Sequence, residues 1–268
     1  MQIENSILTY DSGKEWAITT IMVGVHGNEL SWPQALEKII PQIKIIKWKV
    51  YFIYANLEAL RIQERQYQEN MNRCFLKSNS EATYEQQRAK ELIPYLEESD
   101  YLLDVHNTLG KENSIPFLIT EFQDYWKYFD VDFVVSGMDD IHPGATDWFI
   151  YHLGKPWFCL ESWSIYDPRG PQIAEEGILN FLKLTWNIKW TPKVYQNFQQ
   201  VSFDYVYFNE TMDFRFAKDF KEFEQVTENQ IIAYDGDKEI ISWRNWLILF
   251  PYPPKNIGDE CFCLGSYN

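Results

Sequence analysis

The fold is decided by residues 16–29, which read WAITTIMVGVHGNE. The first ten residues are rich in apolar and β-branched side chains, so they predict a buried strand. The apolar run breaks at the polar run His26-Gly27-Asn28-Glu29. A buried strand followed by a short polar segment predicts a functional loop at the end of that strand.

Further along the chain, strand-like and helix-like segments alternate. After the polar loop, Pro33 lies near a predicted helix start, and an apolar helical stripe follows at Ala35, Leu36, Ile39 and Ile40. The alternation predicts a mixed, largely parallel sheet with helices on both faces. The other predicted strands are residues 47–55, 101–105, 133–136 and 157–160, and the other predicted helices are residues 81–96 and 177–186.

Four polar residues directly follow predicted strands. They are His26, Asn56, His106 and Glu161. Because ligands bind outside the carboxyl ends of the strands in such sheets, one edge of the sheet can collect all four side chains.

The sequence pattern changes near Thr191. Short alternating runs, including residues 201–207 and 246–250, are separated by turn signals such as Asp235-Gly236-Asp237. This pattern is typical of an all-β unit. We therefore predict an α/β domain over residues 1–190 and a small β-rich C-terminal domain over residues 191–268.

The charge of the chain limits its partners. There are 24 Lys and Arg residues against 39 Asp and Glu residues, which gives a net charge of −15. This balance argues against nucleic acid or an anionic membrane as the main partner. An anionic substrate would then need a locally positive pocket.

Targeting signals and cysteine usage point to one compartment. The start of the chain has neither the basic nor the apolar region of a secretory signal, and no apolar run approaches the roughly 18 residues that span a bilayer. The four cysteines form no CxxC pair and no disulfide-like framework. We expect a cytoplasmic protein.

His26 and Glu29 are three residues apart in the predicted loop. Catalytic zinc commonly binds two histidines and a glutamate and keeps a fourth position for water, and His106 is the candidate for the third ligand. A second interpretation stays open, in which His26 makes a loop hydrogen bond, Glu29 caps the next helix and His106 is a buried structural histidine. His142 and His152 are expected to be structural or surface residues.

Four segments carry a family resemblance when they are taken in order. They are Gly24-Val25-His26-Gly27-Asn28-Glu29; Asn56-Leu57-Glu58-Ala59 with Arg65 and Asn70-Met71-Asn72-Arg73-Cys74-Phe75; Asp104-Val105-His106-Asn107-Thr108; and Pro156-Trp157-Phe158-Cys159-Leu160-Glu161. This set resembles the succinylglutamate desuccinylase/aspartoacylase deacylases, which are relatives of carboxypeptidase A-like zinc peptidases. The end of the chain, from Leu249 to Gly265, is similar to the end of the small β domain of that family.

The resemblance implies a zinc-dependent hydrolase that cuts the amide bond of a small N-acyl amino acid. It implies one Zn²⁺ per chain, bound by His26, Glu29 and His106. It also implies that Glu161 takes a proton from the zinc-bound water and later delivers it to the leaving amine.

The resemblance further implies a small anionic substrate. Arg65 would lie near the scissile carbonyl and stabilise the charge that develops there. Asn72 and Arg73 would hold a substrate carboxylate, for which the planar guanidinium is suited. Two arginines in one cleft would supply the positive pocket that an acidic protein needs.

Two residues depart from the pattern of that family. Asn70 stands where the family has an aspartate, so a charge that would orient Arg73 is missing, and Trp163 follows Glu161 where a glycine is expected. The acyl group and the amino acid therefore stay unassigned. A carboxypeptidase-like peptidase and a non-catalytic metal- or ligand-binding protein on the same fold are the alternatives, and a homo-oligomer is a further option.

Overall fold

The computed structural model describes residues 5–14, 17–76, 81–109, 115–138 and 141–268. Its helices are α1 (Ser31–Ile39), α2 (Leu57–Ile62), α3 (Tyr84–Glu98), α4 (Thr146–His152) and α5 (Gly170–Leu184), with short 3-10 turns at Met71–Arg73 and Gln123–Tyr128. Its strands are β1 (Ile7–Asp11), β2 (Ile18–Val23), β3 (Lys49–Tyr54), β4 (Tyr101–Thr108), β5 (Phe117–Ile119), β6 (Phe133–Ser136), β7 (Trp157–Ser164), β8 (Gln199–Phe208), β9 (Phe214–Phe216), β10 (Glu224–Val226), β11 (Ile231–Asp235), β12 (Lys238–Ile241), β13 (Trp246–Leu249) and β14 (Glu260–Tyr267).

Within the described ranges, the main sheet has eleven strands in the order β1-β3-β2-β4-β7-β5-β6-β8-β14-β13-β10. Its centre is parallel, since β2 pairs in parallel with β3 and β4, and β4 pairs in parallel with β7. The carboxyl ends of β2, β4 and β7 therefore lie at one edge, as a functional site in such a sheet requires. The predicted mixed sheet is confirmed.

Helices cover both faces of this sheet. Ile21 and Val23 of β2 pack with residues of α1 and α5, whereas Met22 points to the opposite face, where α3 and α4 pack. The alternation follows from the two-residue period of a strand. Among the described residues, no helix combines the length and apolar character needed to cross a bilayer.

The observed elements differ from the predicted ones mainly at their ends. The predicted strand at residues 16–25 is β2, and Trp16 lies outside the described residues. Strands β4 and β7 continue through His106 and Glu161, which were predicted to follow their strands. Helix α5 begins at Gly170 rather than at Gly177, since Pro171 is suited to a first helical turn. Short elements such as α2, α4 and β5 were not predicted. Fewer than two turns of helix, or a strand as short as β5, show little periodicity in the sequence.

The C-terminal part is β-rich, as the alternating pattern predicted. Strand β8 pairs in parallel with β6, so the main sheet continues across residues 190–191, and β9, β11 and β12 form a separate small sheet. Met22 shares a hydrophobic core with Val201 and Leu249. A second core, around Ile232 and Phe262, lies within the C-terminal part. The boundary between residues 190 and 191 stays a prediction.

Candidate active site

Three side chains converge at the carboxyl ends of β2 and β4. His26 Nδ1 lies 2.7 Å from Glu29 Oε1, and His106 Nδ1 lies 3.2 Å from Glu29 Oε2. His26, Glu29 and His106 are all buried, and one ligand atom from each lies within 4.8 Å of the others. Ligands bound at 2.0–2.1 Å around one tetrahedral ion are about 3.4 Å apart, so these residues need to move little to hold one cation.

The tight loop that carries His26 and Glu29 depends on a glycine. A Cβ at Gly27 would lie 2.0 Å from the carbonyl carbon of Ala59, so the backbone of α2 can approach only a residue without a side chain. The Gly27 N–H donates to Arg65 O at 3.3 Å. This contact holds the segment that carries Arg65 against the loop.

Both histidines point their second ring nitrogen at an oxygen acceptor. His26 Nε2 is 3.1 Å from Asn70 Oδ1, and His106 Nε2 is 3.0 Å from Asp104 Oδ2. The hydrogen bond to Asn70 favours a proton on His26 Nε2 and leaves its Nδ1 free to bind a metal, whereas His106 Nε2 meets the Asp104 carboxylate as an ion-pair contact without hydrogen-bond geometry. The donor set of two imidazoles and one carboxylate, with an oriented outer shell, fits Zn²⁺.

Burial and charge set the protonation of this group. Burial, helped by Arg65, lowers the pKa of His26 to about 4, so its imidazole is neutral at pH 7. Burial opposes ionisation of Glu29, but His26 and His106 beside it hold its pKa well below the usual range. Burial would also lower the pKa of His106, yet Asp104 and Glu29 raise it well above its usual value. Glu29 is therefore ionised and offers an anionic ligand to a cation.

One part of the second interpretation, the helix cap by Glu29, is wrong. Glu29 does not cap α1, because the first turn of that helix has no side-chain cap and the Glu29 carboxylate faces His26 and His106. Within the described ranges, this is the one group of three or more His, Cys, Asp or Glu residues placed to hold a metal. His142 contacts Glu260, and His152 is exposed.

Glu161 stands beside this group because of strand register. On β7 it is the partner of His106 on β4, and neighbouring partners in a parallel pair project to the same face. Its Oε2 is buried and has no hydrogen-bond partner among the described residues. Burial raises the pKa of Glu161 to about 8, with His106 acting in the opposite direction. An unpartnered buried carboxyl group needs a functional explanation.

Arg65, Asn72 and Arg73 lie around the same loop. Arg65 Nη1 is 3.6 Å from Glu29 Oε1, and its side chain is 35 % exposed. Asn72 Oδ1 accepts a hydrogen bond from Thr146 N at 3.1 Å, and Arg73 Nη1 donates to Asn72 O at 2.6 Å. Burial lowers the pKa of Arg73, whereas the nearby carboxylates of Glu260 and Asp147 favour its charged form.

A family comparison gives this arrangement a context. The family model described as "Succinylglutamate desuccinylase/Aspartoacylase catalytic domain" matches residues 17–183, which include all seven predicted site residues. The chain belongs to this family. No curated protein sequence matches it.

Solved structures of the succinylglutamate desuccinylase/aspartoacylase family share the fold. A succinylglutamate desuccinylase from Vibrio parahaemolyticus has a TM-score of 0.79 at 16% identity, covering 98% of this chain and 86% of its own. A succinylglutamate desuccinylase/aspartoacylase from Rhodobacter sphaeroides has a TM-score of 0.76 at 18% identity, with coverages of 98% and 88%. The ectoine utilization protein EutE of Ruegeria pomeroyi has a TM-score of 0.76 at 18% identity, with coverages of 97% and 88%.

The two departures from the family pattern have definite places. The side chain of Asn70 contacts His26 and the backbone N–H of Asn72, so it is bonded to a candidate metal ligand. Trp163 packs its ring against the guanidinium of Arg169, 4.0 Å away. Trp163 lies on β7, the strand that carries Glu161, and its carbonyl accepts a hydrogen bond from Asn107 Nδ2 at 3.1 Å.

Sequence reasoning missed several residues that hold the site. Thr146 contacts both Asp104 and Asn72, and Trp32 Nε1 donates to His106 O at 2.6 Å. Asn107 N donates to Glu29 Oε2 at 3.1 Å. The two-residue spacing of Asp104 and His106 on one strand was a usable signal for Asp104. Nothing in the sequence places Thr146 near either motif.

Proposed function

We propose that this protein is a zinc-dependent deacylase that hydrolyses the amide bond of a small N-acyl amino acid. The observation that carries the proposal is the convergence of His26, Glu29 and His106 with Glu161 in register beside them. Membership of the succinylglutamate desuccinylase/aspartoacylase family supports the same chemistry. The buried free thiols of all four cysteines agree with a cytoplasmic location.

His26, Glu29 and His106 would hold one zinc ion per chain. The bound ion would lower the pKa of a water and polarise the acyl oxygen. Glu161 takes the proton of the attacking water on its unpartnered Oε2 and returns it to the leaving amine. Its low exposure, 9 %, keeps bulk water from competing for that proton.

The arginines and Asn72 give the pocket its preference for an anion. Arg65 lies beside Glu29 at the edge of the site, where its guanidinium stabilises the oxyanion that forms from the acyl carbonyl. Since Asn72 Oδ1 already accepts from Thr146, its amide Nδ2 is the donor left for a substrate carboxylate. Arg73 adds its planar guanidinium to the same carboxylate.

The mechanism predicts that Glu161→Gln keeps the metal and loses the rate. The amide has nearly the same shape but cannot accept the proton, so kcat should fall by about 10²- to 10⁴-fold while KM changes little. The measurements are zinc content per chain and the hydrolysis of acetyl, succinyl and longer acyl derivatives of acidic and neutral amino acids.

This experiment has a control variant and outcomes that would contradict the proposal. His26→Ala is the matched variant for the metal, and it should lose the zinc as well as the rate. A fully active Glu161→Gln protein would contradict the role of Glu161. A protein that holds zinc but cleaves peptides in preference to acyl amino acids would favour the peptidase alternative, and one that cleaves neither would favour the non-catalytic one.

A further inference from the structure

Thr146, the first residue of α4, contacts both halves of the candidate site. Its hydroxyl donates to Asp104 Oδ2, and its backbone N–H donates to Asn72 Oδ1 at 3.1 Å. Thr146 is 1 % exposed and Asp104 is 1 % exposed, so water does not compete for these bonds. Thr146 is therefore hydrogen-bonded to Asp104, which contacts the candidate metal ligand His106, and also to Asn72, a candidate substrate ligand.

The contact with Asp104 reaches the metal site. Asp104 Oδ2 also lies 3.0 Å from His106 Nε2, whereas the buried Asp104 Oδ1 has no partner among the described residues. The Thr146 hydroxyl consequently fixes which carboxylate oxygen faces His106. His106 Nε2 has no hydrogen bond among the described residues, so Asp104 acts on it as a carboxylate charge at 3.0 Å, and a fixed charge there favours the ring orientation in which Nδ1 lies 3.2 Å from Glu29 Oε2.

The contact with Asn72 uses a backbone group. The first N–H groups of a helix have no partner within the helix, and Asn72 Oδ1 satisfies that of Thr146. This bond fixes the orientation of the Asn72 amide, with Nδ2 directed away from α4.

We propose that Thr146 is a positioning residue that sets the place of the metal ligand His106 relative to the substrate ligand Asn72. Its side chain acts on the metal through Asp104, to which the hydroxyl donates its single proton. Its backbone N–H acts on Asn72 at 3.1 Å, while the hydroxyl oxygen lies at the longer distance of 3.5 Å from the same Asn72 Oδ1. The inference rests on the proposed function for the roles of His106 and Asn72. It predicts that the two actions can be separated by substitution.

Thr146→Val removes the hydroxyl, keeps the shape and keeps the backbone N–H. Zinc affinity, measured by competition with a chromophoric chelator in the absence of substrate, should fall by about tenfold, as for loss of other outer-shell partners. KM at saturating zinc should stay within about twofold. Thr146→Ser, which keeps the hydroxyl, should restore the zinc affinity, and Thr146→Ala replaces the valine variant if the latter does not fold.

Thr146→Pro removes the N–H as well as the hydroxyl. Proline is tolerated at the first position of a helix, and Ala145 already has φ −71° and ψ 160°, which suits a residue before proline. This variant should show the same loss of zinc affinity and, in addition, a KM raised by about tenfold. A KM equal to that of Thr146→Val would overturn the action on Asn72.

A double-mutant cycle tests the route to the metal. If Thr146 acts through Asp104, Thr146→Val should change the zinc affinity less than twofold in an Asp104→Asn background. Independent, multiplying effects would overturn the route, as would a folded Thr146→Val protein with wild-type zinc affinity. Because zinc binding is measured without substrate, a wild-type protein that binds zinc but hydrolyses no acyl amino acid would refute the proposed function alone.

Discussion

At the scale of single residues, the two histidines of the site have unequal partners. Asp104 places a carboxylate on His106, whereas Asn70 places a neutral amide oxygen on His26. An anionic partner makes an imidazole a stronger metal ligand than a neutral partner does. Asn70 thus weakens the hold of His26 on a metal compared with the aspartate that the family pattern has at this position.

This inequality predicts that Asn70→Asp tightens zinc binding by several-fold. The aspartate keeps the acceptor for His26 and for the N–H of Asn72 and adds a charge, whereas Asn70→Ala removes the acceptor and should weaken binding by about tenfold. Chelator competition at constant pH and ionic strength measures both. Equal affinities for all three proteins would show that the contact with His26 has no effect on the metal.

At the scale of elements, hydrogen bonds connect the C-terminal part to the residue that follows β4. Tyr252, which follows β13, accepts from Leu109 N at 3.1 Å and donates to Glu222 Oε1 at 2.6 Å. Glu222 Oε2 accepts from Phe250 N at 2.9 Å. These bonds connect the β-rich part to the strand that carries His106.

Glu222 makes this connection sensitive to pH. Burial raises its pKa from 4.5 to about 7. The folded protein therefore binds a proton more tightly than the unfolded chain, so the stability from this group is complete below pH 4.5 and is lost as the pH rises to about 7. The free energy of unfolding of the wild type, relative to Glu222→Gln, should fall by up to about 3 kcal/mol over this range. Urea unfolding at pH 4.5, 6 and 8 tests it, and parallel curves for the two proteins would contradict it.

At the scale of the whole molecule, the metal should contribute to folding stability. The unfolded chain has no preformed group of His26, Glu29 and His106, so zinc binds chiefly the folded state. At a free zinc concentration a thousandfold above Kd, the stabilisation is about 4 kcal/mol. For a chain of this size, removal of zinc should lower Tm by roughly 10 °C.

Calorimetry with zinc and with a chelator measures this shift. His26→Ala is the control, since it lacks a ligand and its Tm should respond little to zinc. An unchanged wild-type Tm after complete removal of zinc would argue against a metal at these three residues.

The sequence by itself determined the fold class and picked out the three residues that come together at the candidate site. The mixed sheet could be predicted from the apolar run that becomes β2 and from the alternation of elements. This works because a buried face needs apolar residues that recur with the period of its strand or helix. The ligand types were readable at His26, Glu29 and His106, because few side chains bind zinc. Short elements such as α4 were not readable, since so few residues carry no clear period.

The tertiary structure alone decided which groups meet. Register between β4 and β7 places Glu161 beside His106, and a slip of one residue would turn Glu161 to the other face. The packing of α4 brings Thr146 to Asp104 and Asn72, although these residues are far apart in the chain. The side chain of Asn70 faces His26. Side-chain partners of this kind depend on long-range packing, which a local pattern does not encode.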